Sequence, residues 1–240
     1  MRPHRLLALV LVACGTPPPP EEEPKLTVLE AAPTSGAALT HEELPAAGAV
    51  TALGMSTVGN LVLVADDRVF ELVAGELTRR SLYAEGQDPT TLGVVSAIAP
   101  RAKGGAWLAG ANGLFVLEGT YVTHSPVMVG MGPVKGLSEV SQGGLDGLWL
   151  AATNGVYRRQ TAETFRYNIE GFGEEASAVA ADPDGAGALA VLGGKLVLLT
   201  PGGGALAAAE PPEDVGAVHA VAAAKGTLYA ATANGLYRWT

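Results

Sequence analysis

The sequence contains five copies of one segment, and this internal repetition constrains the fold more than any other feature. Three copies nearly match: AWLAGANGLFVL from Ala106, LWLAATNGVYRR from Leu148 and LYAATANGLYRW from Leu228. Two weaker copies, LVLVADDRVFEL and ALAVLGGKLVLL, begin at Leu61 and Ala188. The first apolar residue after the central turn recurs at intervals of 45, 42, 40 and 40 residues, at Val69, Leu114, Val156, Leu196 and Leu236. This period predicts stacked copies of one supersecondary unit.

Each copy predicts four short antiparallel strands. The repeated segment holds two of them, and an apolar strand precedes it, ending at Leu53, Ile98, Leu137, Val179 and Val221. Most copies continue into a fourth strand, at 76–82, 120–126 and 164–169. Four strands in 40–45 residues are typical of a propeller blade. We therefore predict an all-β fold, a single β-propeller of five four-stranded blades over residues 25–240.

The central turns carry Asn-Gly pairs at 112–113, 154–155 and 234–235. Such turns need a positive φ, which both residue types supply at little cost. Asp66-Asp67 replaces the pair in the first copy and is predicted to be a turn as well.

An aromatic residue recurs at one equivalent position in the strand before these turns, as Trp107, Trp149 and Tyr229. The strands after the turns are apolar on both faces, as expected for a sheet buried between two neighbours. The recurrence therefore favours packing between blades over a cage of rings around a ligand.

The two ends of the chain are predicted to meet in one sheet. The last copy stops at Thr240, after its third strand, and the strand-like segment KLTVLEA at 25–31 belongs to no blade. We predict that it completes the fifth blade and closes the ring, which leaves no exposed sheet edge. The alternative is an open row of five blades that needs a partner chain.

Residues 1–13 have the features of a signal peptide, with Arg2 and Arg5 before a short apolar run. That run, at 6–12, is too short to cross a bilayer, which takes about 20 helical residues. The following residues, Leu11-Val12-Ala13-Cys14, resemble the bacterial lipobox, and the resemblance implies cleavage before Cys14 and lipidation of that cysteine. An ordinary signal peptide with a fortuitous cysteine is the alternative.

Residues 14–24 then form a lipidated cysteine and a tether. The tether sequence GTPPPPEEEP favours an extended, solvated polyproline segment of about 3.1 Å per residue. Two or more acyl chains give stable membrane anchoring. Because Gly15 and not Asp follows the cysteine, the resemblance implies the outer membrane, facing the periplasm or the surface, over the inner membrane.

The recurring pattern G-x-W-L-A-x-x-N-G-L-x-R resembles the two-component-regulator propeller repeat, a repeat of the WD40/YVTN type. The best matches are 147–158 and 227–238, and 105–116 is close. This repeat occurs in bacterial extracytoplasmic sensor proteins, so the resemblance implies a propeller at the cell envelope. It specifies a fold more than an activity.

Composition excludes several classes of function. The net charge of −9 argues against nucleic acid, which needs clustered Lys and Arg. A single cysteine permits neither an intrachain disulfide nor a cysteine-based metal site. His41, His124 and His219 lack metal-ligand spacing, although His219 falls in a predicted inner strand from which it could face the channel.

The sequence offers no GxSxG, HExxH, Walker or GxGxxG motif in its structural context. Asp182-Pro183-Asp184-Gly185 faintly resembles the opening of a calcium loop but lacks the third oxygen ligand and the closing Glu. It is also a favourable hairpin turn, which we favour. We expect no enzyme activity, no metal and no cofactor.

Acidic residues collect in the predicted connections between blades, and these connections hold no Lys or Arg. The ten carboxylates are Glu42, Glu43, Glu85, Asp88, Glu170, Glu174, Glu175, Glu210, Glu213 and Asp214. Apolar side chains among them are Tyr83, Met128, Met131 and Phe172, while Arg101, Lys103 and Lys225 fall in loops expected on the opposite rim. The pattern predicts an acidic rim that steers a basic partner or collects divalent cations. A solvated face that keeps the protein soluble is the alternative.

These features predict a non-enzymatic binding or scaffold module, lipid-anchored at the cell envelope, for a protein or glycan partner. One alternative is a propeller hydrolase or lyase acting on a polysaccharide, with two carboxylates about 5–9.5 Å apart at the channel mouth. Another is the periplasmic input subunit of a signalling complex.

The lipobox resemblance predicts that the wild-type protein carries fatty acid and partitions into the detergent phase. Changing Cys14 to Ser should give an uncleaved or water-soluble form, because the acylated sulfur is lost. Phase separation followed by mass spectrometry of the N-terminal peptide measures both. A wild-type protein found wholly in the aqueous phase contradicts lipidation.

Overall fold

The computed structural model describes residues 27–29, 49–82, 91–125, 131–140, 147–160, 163–167, 175–183, 187–199, 215–224 and 227–239. These residues form β-strands joined by turns, and every pair of neighbouring strands is antiparallel. The described part of the chain holds no helix of the length and apolar character that crossing a bilayer requires.

The strands form five sheets, numbered here in chain order. The first strand, β1 (Thr27–Leu29), belongs to sheet 5. Sheet 1 contains β2 (Val50–Met55), β3 (Leu61–Ala65), β4 (Arg68–Val73) and β5 (Glu76–Arg80). Sheet 2 contains β6 (Val95–Pro100), β7 (Ala106–Gly110), β8 (Gly113–Glu118) and β9 (Tyr121–Ser125). Sheet 3 contains β10 (Val134–Val140), β11 (Gly147–Ala152), β12 (Gly155–Gln160) and β13 (Glu163–Tyr167). Sheet 4 contains β14 (Ala176–Ala181), β15 (Ala188–Leu192) and β16 (Lys195–Leu199), and sheet 5 contains β17 (Val218–Ala224), β18 (Thr227–Thr232) and β19 (Gly235–Trp239).

The predicted repeat unit is present in each sheet, with small differences. First strands run two or three residues past their predicted ends, for example to Met55 and not Leu53. Sheet 4 has three strands in the described residues, and the segment after Leu199 that would hold a fourth lies outside them.

The central turns differ from the prediction in one respect. In the first sheet, Asp66 and Asp67 form the turn with φ values of 49° and 57°. In sheets 2, 3 and 5 the turn residues precede the glycine, and it is Gly113, Gly155 and Gly235 that take positive φ. The asparagines are not among the described residues with positive φ, because the glycine that follows carries the unusual backbone conformation.

Successive sheets pack face to face. Four apolar clusters of described residues fill the spaces from sheet 1 to sheet 5. Trp107 and Trp149 are buried in the clusters that face the following sheet, so the recurring aromatic serves packing, as predicted. Truncating a buried Trp to Ala typically costs about 3–5 kcal/mol, which makes these residues principal contributors to stability.

The sheets meet most closely at their first strands, β2, β6, β10, β14 and β17, each of which contacts the next. Here a small residue lies opposite a branched residue of the following sheet. A Cβ added to Gly54 would lie 2.5 Å from Cβ of Ile98. Ala180 and Val221 share the cluster between sheets 4 and 5. This alternation of small and branched side chains lets the strands converge.

The two ends of the chain do pair. β1 lies beside β19 in the order β1-β19-β18-β17, with Thr27 opposite Arg238 and Leu29 opposite Leu236. The predicted completion of the last sheet by the N-terminal strand is therefore present in the structure.

Closure of the ring between sheets 5 and 1 stays a prediction. Val50 and Leu53 of β2, which face away from sheet 2, are 54% and 60% exposed, whereas Val95, equivalent to Val50, is 3% exposed. On β17, Ala222 faces away from sheet 4 and is exposed. In the described residues, no apolar cluster joins β17 to β2. The pair Ala222 and Leu53 nevertheless repeats the small-and-branched relation of Gly54 and Ile98.

We predict that Leu53→Cys with Ala222→Cys forms an intramolecular disulfide, since closure would bring the two Cβ atoms to bridging distance. Cys14→Ser is added so that no other cysteine is present. Non-reducing electrophoresis and intact mass measure the bond, and Ala180→Cys with Val221→Cys at a formed interface is the positive control. The ring is open if the control pair forms its disulfide while the pair at positions 53 and 222 stays reduced. It is also open if the pair at 53 and 222 links two chains.

Candidate functional site

Each first strand carries a β-bulge near its start. The register to the second strand skips one residue in all five sheets, between Val50 and Ala52 in the first of them. The five bulge residues are all polar and all exposed: Thr51, Ser96, Lys135, Ser177 and His219. Bulges are frequent next to functional sites because they redirect a side chain out of the regular ladder.

Two of these side chains reach the next sheet. Ser96 Oγ donates to the carbonyl of Val134, at the start of β10, and lies 3.2 Å from the carbonyl oxygen of Ala109 in its own sheet. Lys135 Nζ forms an ion pair with Glu175, which immediately precedes β14. Adjacent bulge residues therefore line one continuous end of the row.

The residues just before the paired starts of the strands form a second layer at this end: Ala49, Val94, Pro133, Glu175 and Ala217, all exposed. We call the five bulge residues and these five residues the mouth. The carbonyls of the last four accept hydrogen bonds from the central turn of their own sheet, with N–O distances of 2.8–3.0 Å. The backbone at these four positions is therefore fixed by hydrogen bonds to the central turn of the same sheet.

In sheets 2, 3 and 5, the segment that leads into the first strand packs against the Asn-Gly turn of the same sheet. Gly93, Gly132 and Gly216 have φ values of 65°, 74° and 70°. A Cβ at Gly132 would lie 3.3 Å from Thr153 Cβ and 3.5 Å from Asn154 Nδ2, so the glycine lets the turn rest on the chain. The residue before it, Met131, is 3% exposed and packs between sheets 2 and 3.

Met131 therefore corrects one prediction. Its sequence neighbourhood suggested an apolar contact for a partner, but its side chain fills the core, as Leu92 and Val215 do at the equivalent positions. The signal was available in the aligned copies, where a large apolar residue precedes each of these glycines.

Of the predicted acidic rim, the structure describes Glu175. Its carboxylate lies at the mouth and is 58% exposed, and its pairing with Lys135 reduces its effect as an isolated negative charge. The remaining predicted rim residues lie outside the described residues: Glu42, Glu43, Glu85, Asp88, Glu170, Glu174, Glu210, Glu213, Asp214, Tyr83, Met128 and Phe172. Cys14 also lies outside them.

Arg101 and Lys103 lie at the other end of the strands, in the turn after β6, as predicted. The Arg101 guanidinium is 3.0 Å from Glu118 Oε2 and lies over the Trp107 ring, 5.7 Å from its centroid. Glu139 accepts a hydrogen bond of 2.9 Å from Trp107 Nε1 and a second from the amide of Ala102. These contacts join sheets 2 and 3, and they occupy the charged groups of Arg101, Glu118 and Glu139 with partners inside the protein.

Sheet 3 buries two further cations. Arg159 donates to Ser125 and also lies over Trp107, and burial lowers the pKa of its guanidinium. Arg158 is 5% exposed and stacks on Trp149 at 5.5 Å, and its Nε has no hydrogen-bond partner among the residues that the structure describes. A Cβ on Gly147 would lie 2.8 Å from that Nε, so the glycine of the repeat makes room for the guanidinium.

The titratable residues of the described chain do not assemble a metal centre, since no three of them converge. His219 is exposed at the bulge of β17, and His124 packs edge-on against Phe115, with the ring centroids 5.3 Å apart. Asp182 donates its amide to Gly187 at 2.9 Å across the turn after β14, while Asp184 and Gly185 lie outside the described residues.

The bulge residues were not predicted as a group from the sequence. The signal was present in the aligned starts VTA, VSA, VKG, ASA and VHA, where a polar residue interrupts an apolar pattern. The alternation of apolar and polar residues places this residue on one face of the sheet. The register shift in the structure shows instead that it is not paired with the second strand.

No protein-family model matches the chain, and no curated protein matches it. Among solved structures it is similar to a catalytically inactive histidine-to-alanine variant of virginiamycin B lyase from Staphylococcus aureus with quinupristin, at 15% identity and a TM-score of 0.63 over 82% of this chain and 67% of that one. It is also similar to the extracellular domain of the putative hybrid two component system BT3049 from B. thetaiotaomicron, at 15% identity and a TM-score of 0.57 over 78% of this chain and 28% of that one.

A third similar structure is YCF48 bound to D1 peptide, at 14% identity and a TM-score of 0.55 over 83% of this chain and 65% of that one. The similar structures include β-propellers. At these identities they show the fold alone, a series of antiparallel sheets of the propeller kind.

Proposed function

We propose that the protein is a non-enzymatic binding module, anchored by lipid at the cell envelope, that holds a protein or glycan partner at the mouth. The observation that carries this proposal is the repeated bulge. All five sheets interrupt their first ladder at the same position, and each presents an exposed polar side chain there.

The chemistry of the mouth suits recognition. The hydroxyl group of Ser177 can donate and accept hydrogen bonds, the Lys135 ammonium donates, and His219 does either according to its tautomer. The hydroxyl groups of Thr51 and Ser96 donate to the carbonyls of Val64 and Val134 and keep their acceptor lone pairs. Their backbone is fixed by the turns beneath, so a partner loses little free energy in ordering the site.

The similar structures support a binding role without deciding it. Two of them are extracellular domains of a putative hybrid two component system and a putative one component system, and another is a propeller with a bound peptide. By analogy, a partner that carries a signalling segment would make this chain the input subunit of a signalling complex. The lipobox resemblance and the tether support the envelope location.

Catalysis is a second candidate, and His219 is the observation that favours it. It is exposed at the mouth, and one similar structure is a lyase whose histidine-to-alanine variant is catalytically inactive. Two others are a putative gluconolactonase and a gluconolactonase from Xanthomonas campestris. If the protein is an enzyme, His219→Ala should abolish turnover of a captured small molecule or glycan and leave its binding within about twofold.

The binding proposal predicts that blocking the mouth abolishes partner capture. Ser177→Trp places a large ring between Lys135 and His219, and it should lower the partner yield at least about tenfold, equivalent to about 1.4 kcal/mol. The measurement is crosslinking and affinity capture of the lipidated protein from its own membrane, quantified by mass spectrometry.

The matched control is Ala102→Trp, an exposed small residue in the turn after β6 at the opposite end. Thermal unfolding of both variants checks that the fold is intact. If both variants capture the partner like wild type, or if Ala102→Trp alone loses it, the mouth is not the binding face.

The acidic rim makes a separate prediction about association rate. Changing Glu174, Glu175, Glu213 and Asp214 to the corresponding amides should slow association with the captured partner about tenfold at low salt, and less at physiological salt, where the Debye length is about 8 Å. Glu175→Gln alone should have a small effect, because Lys135 already pairs with it. Stopped-flow or surface-based kinetics measure the rates, and an unchanged rate at low salt rules out steering by the rim.

A further inference from the structure

We propose, taking the binding function above as a premise, that the mouth binds a polypeptide segment and seats one of its apolar side chains against Val94. The mouth is not uniform in chemistry. Its second layer is apolar over sheets 1 to 3, at Ala49, Val94 and Pro133, while Glu175 stands at the corresponding position of sheet 4.

Val94 is the most exposed of the large apolar side chains in the described residues, at 76%. A single exposed valine needs no explanation in itself. Here, however, it lies beside Pro133, and the carbonyls of both residues accept hydrogen bonds, of 2.9 Å from Ala111 N to Val94 and 3.0 Å from Thr153 N to Pro133. A rigid apolar surface beside a row of polar groups suits a ligand that is apolar on one side and polar on the other.

The polar side of the mouth suits a peptide backbone. Lys135 keeps donors beyond the one used by Glu175, Ser177 both donates and accepts, and His219 is exposed beside them. A backbone needs both donors and acceptors, since each residue brings an N–H and a C=O.

Two observations favour a polypeptide over a glycan. An aromatic side chain offers a large apolar face, with a polar tip in Tyr and Trp, which suits the mixed apolar and polar surface of a sugar ring. Trp107 and Trp149 are buried, however, and the described part of the mouth exposes no Trp, Tyr or Phe ring. The pairing of Lys135 with Glu175 also leaves this part of the mouth without the excess positive charge that an acidic polysaccharide would select.

The test compares two valines of equal exposure. Val58 is 75% exposed and lies in the turn between β2 and β3, at the opposite end from the mouth. Short random peptides displayed on phage are selected on the full-length protein in detergent, and selected peptides are then synthesised and titrated against Val94→Asp and Val58→Asp. We expect the peptides to share an aliphatic or aromatic residue and to bind Val94→Asp about tenfold or more weakly, with Val58→Asp like wild type.

Equal binding to both variants, or equal loss in both, overturns the seating at Val94. If envelope glycans bind and are blocked by Ser177→Trp while no peptide is selected, the polypeptide class is wrong although binding at the mouth stands. If selected peptides bind Ser177→Trp as tightly as wild type, the mouth itself is wrong, and the proposed function fails with it.

Discussion

The packing of the sheets depends on small residues where successive first strands meet, as Gly54 against Ile98 and Gly136 against Ala178 show. A sheet that is apolar on both faces has to be covered on both, and here apolar clusters between successive sheets provide that cover. Gly54 beneath Ile98 shows how tight the contact is, since a single added methyl group would lie 2.5 Å from the isoleucine Cβ. The outer strands can then diverge and leave room for the aromatic residues between the sheets.

The mouth follows from the same constraint. Converging first strands bring their starts together, and a regular ladder there would point alternate side chains into the neighbouring sheets. A bulge releases one residue per sheet from that requirement, so one exposed polar side chain from each first strand lies at this end. The opposite end differs, because Arg101 pairs with Glu118 and lies over Trp107, while Glu139 accepts a hydrogen bond from Trp107.

How far the sequence predicted the molecule depends on whether local chemistry or neighbours decide each feature. Strand positions, the Asp66-Asp67 turn and the packing role of Trp149 follow from periodicity, and the pairing of β1 with β19 follows from a missing strand in one copy and a spare strand elsewhere. The burial of Met131 and the bulge at Lys135 were not predicted, because the first depends on packing against sheet 2 and the second on the register between β10 and β11. The ion pair of Glu175 with Lys135 was not predicted either. The two residues are far apart in the chain and become neighbours only when sheets 3 and 4 pack.

The pairing of β1 with β19 also imposes an order of events on folding. Sheets 1 to 4 are each built from residues close in sequence, so they can form and stack as soon as their own segments are available. The strand at Thr27–Leu29 has its partner at the far end of the chain. In a chain delivered from its N-terminus, this first strand would wait unpaired until the last residues arrive, and sheet 5 would be the final one completed. The slowest step would then be a loop closure over the whole domain, whose entropic cost grows only with the logarithm of its length.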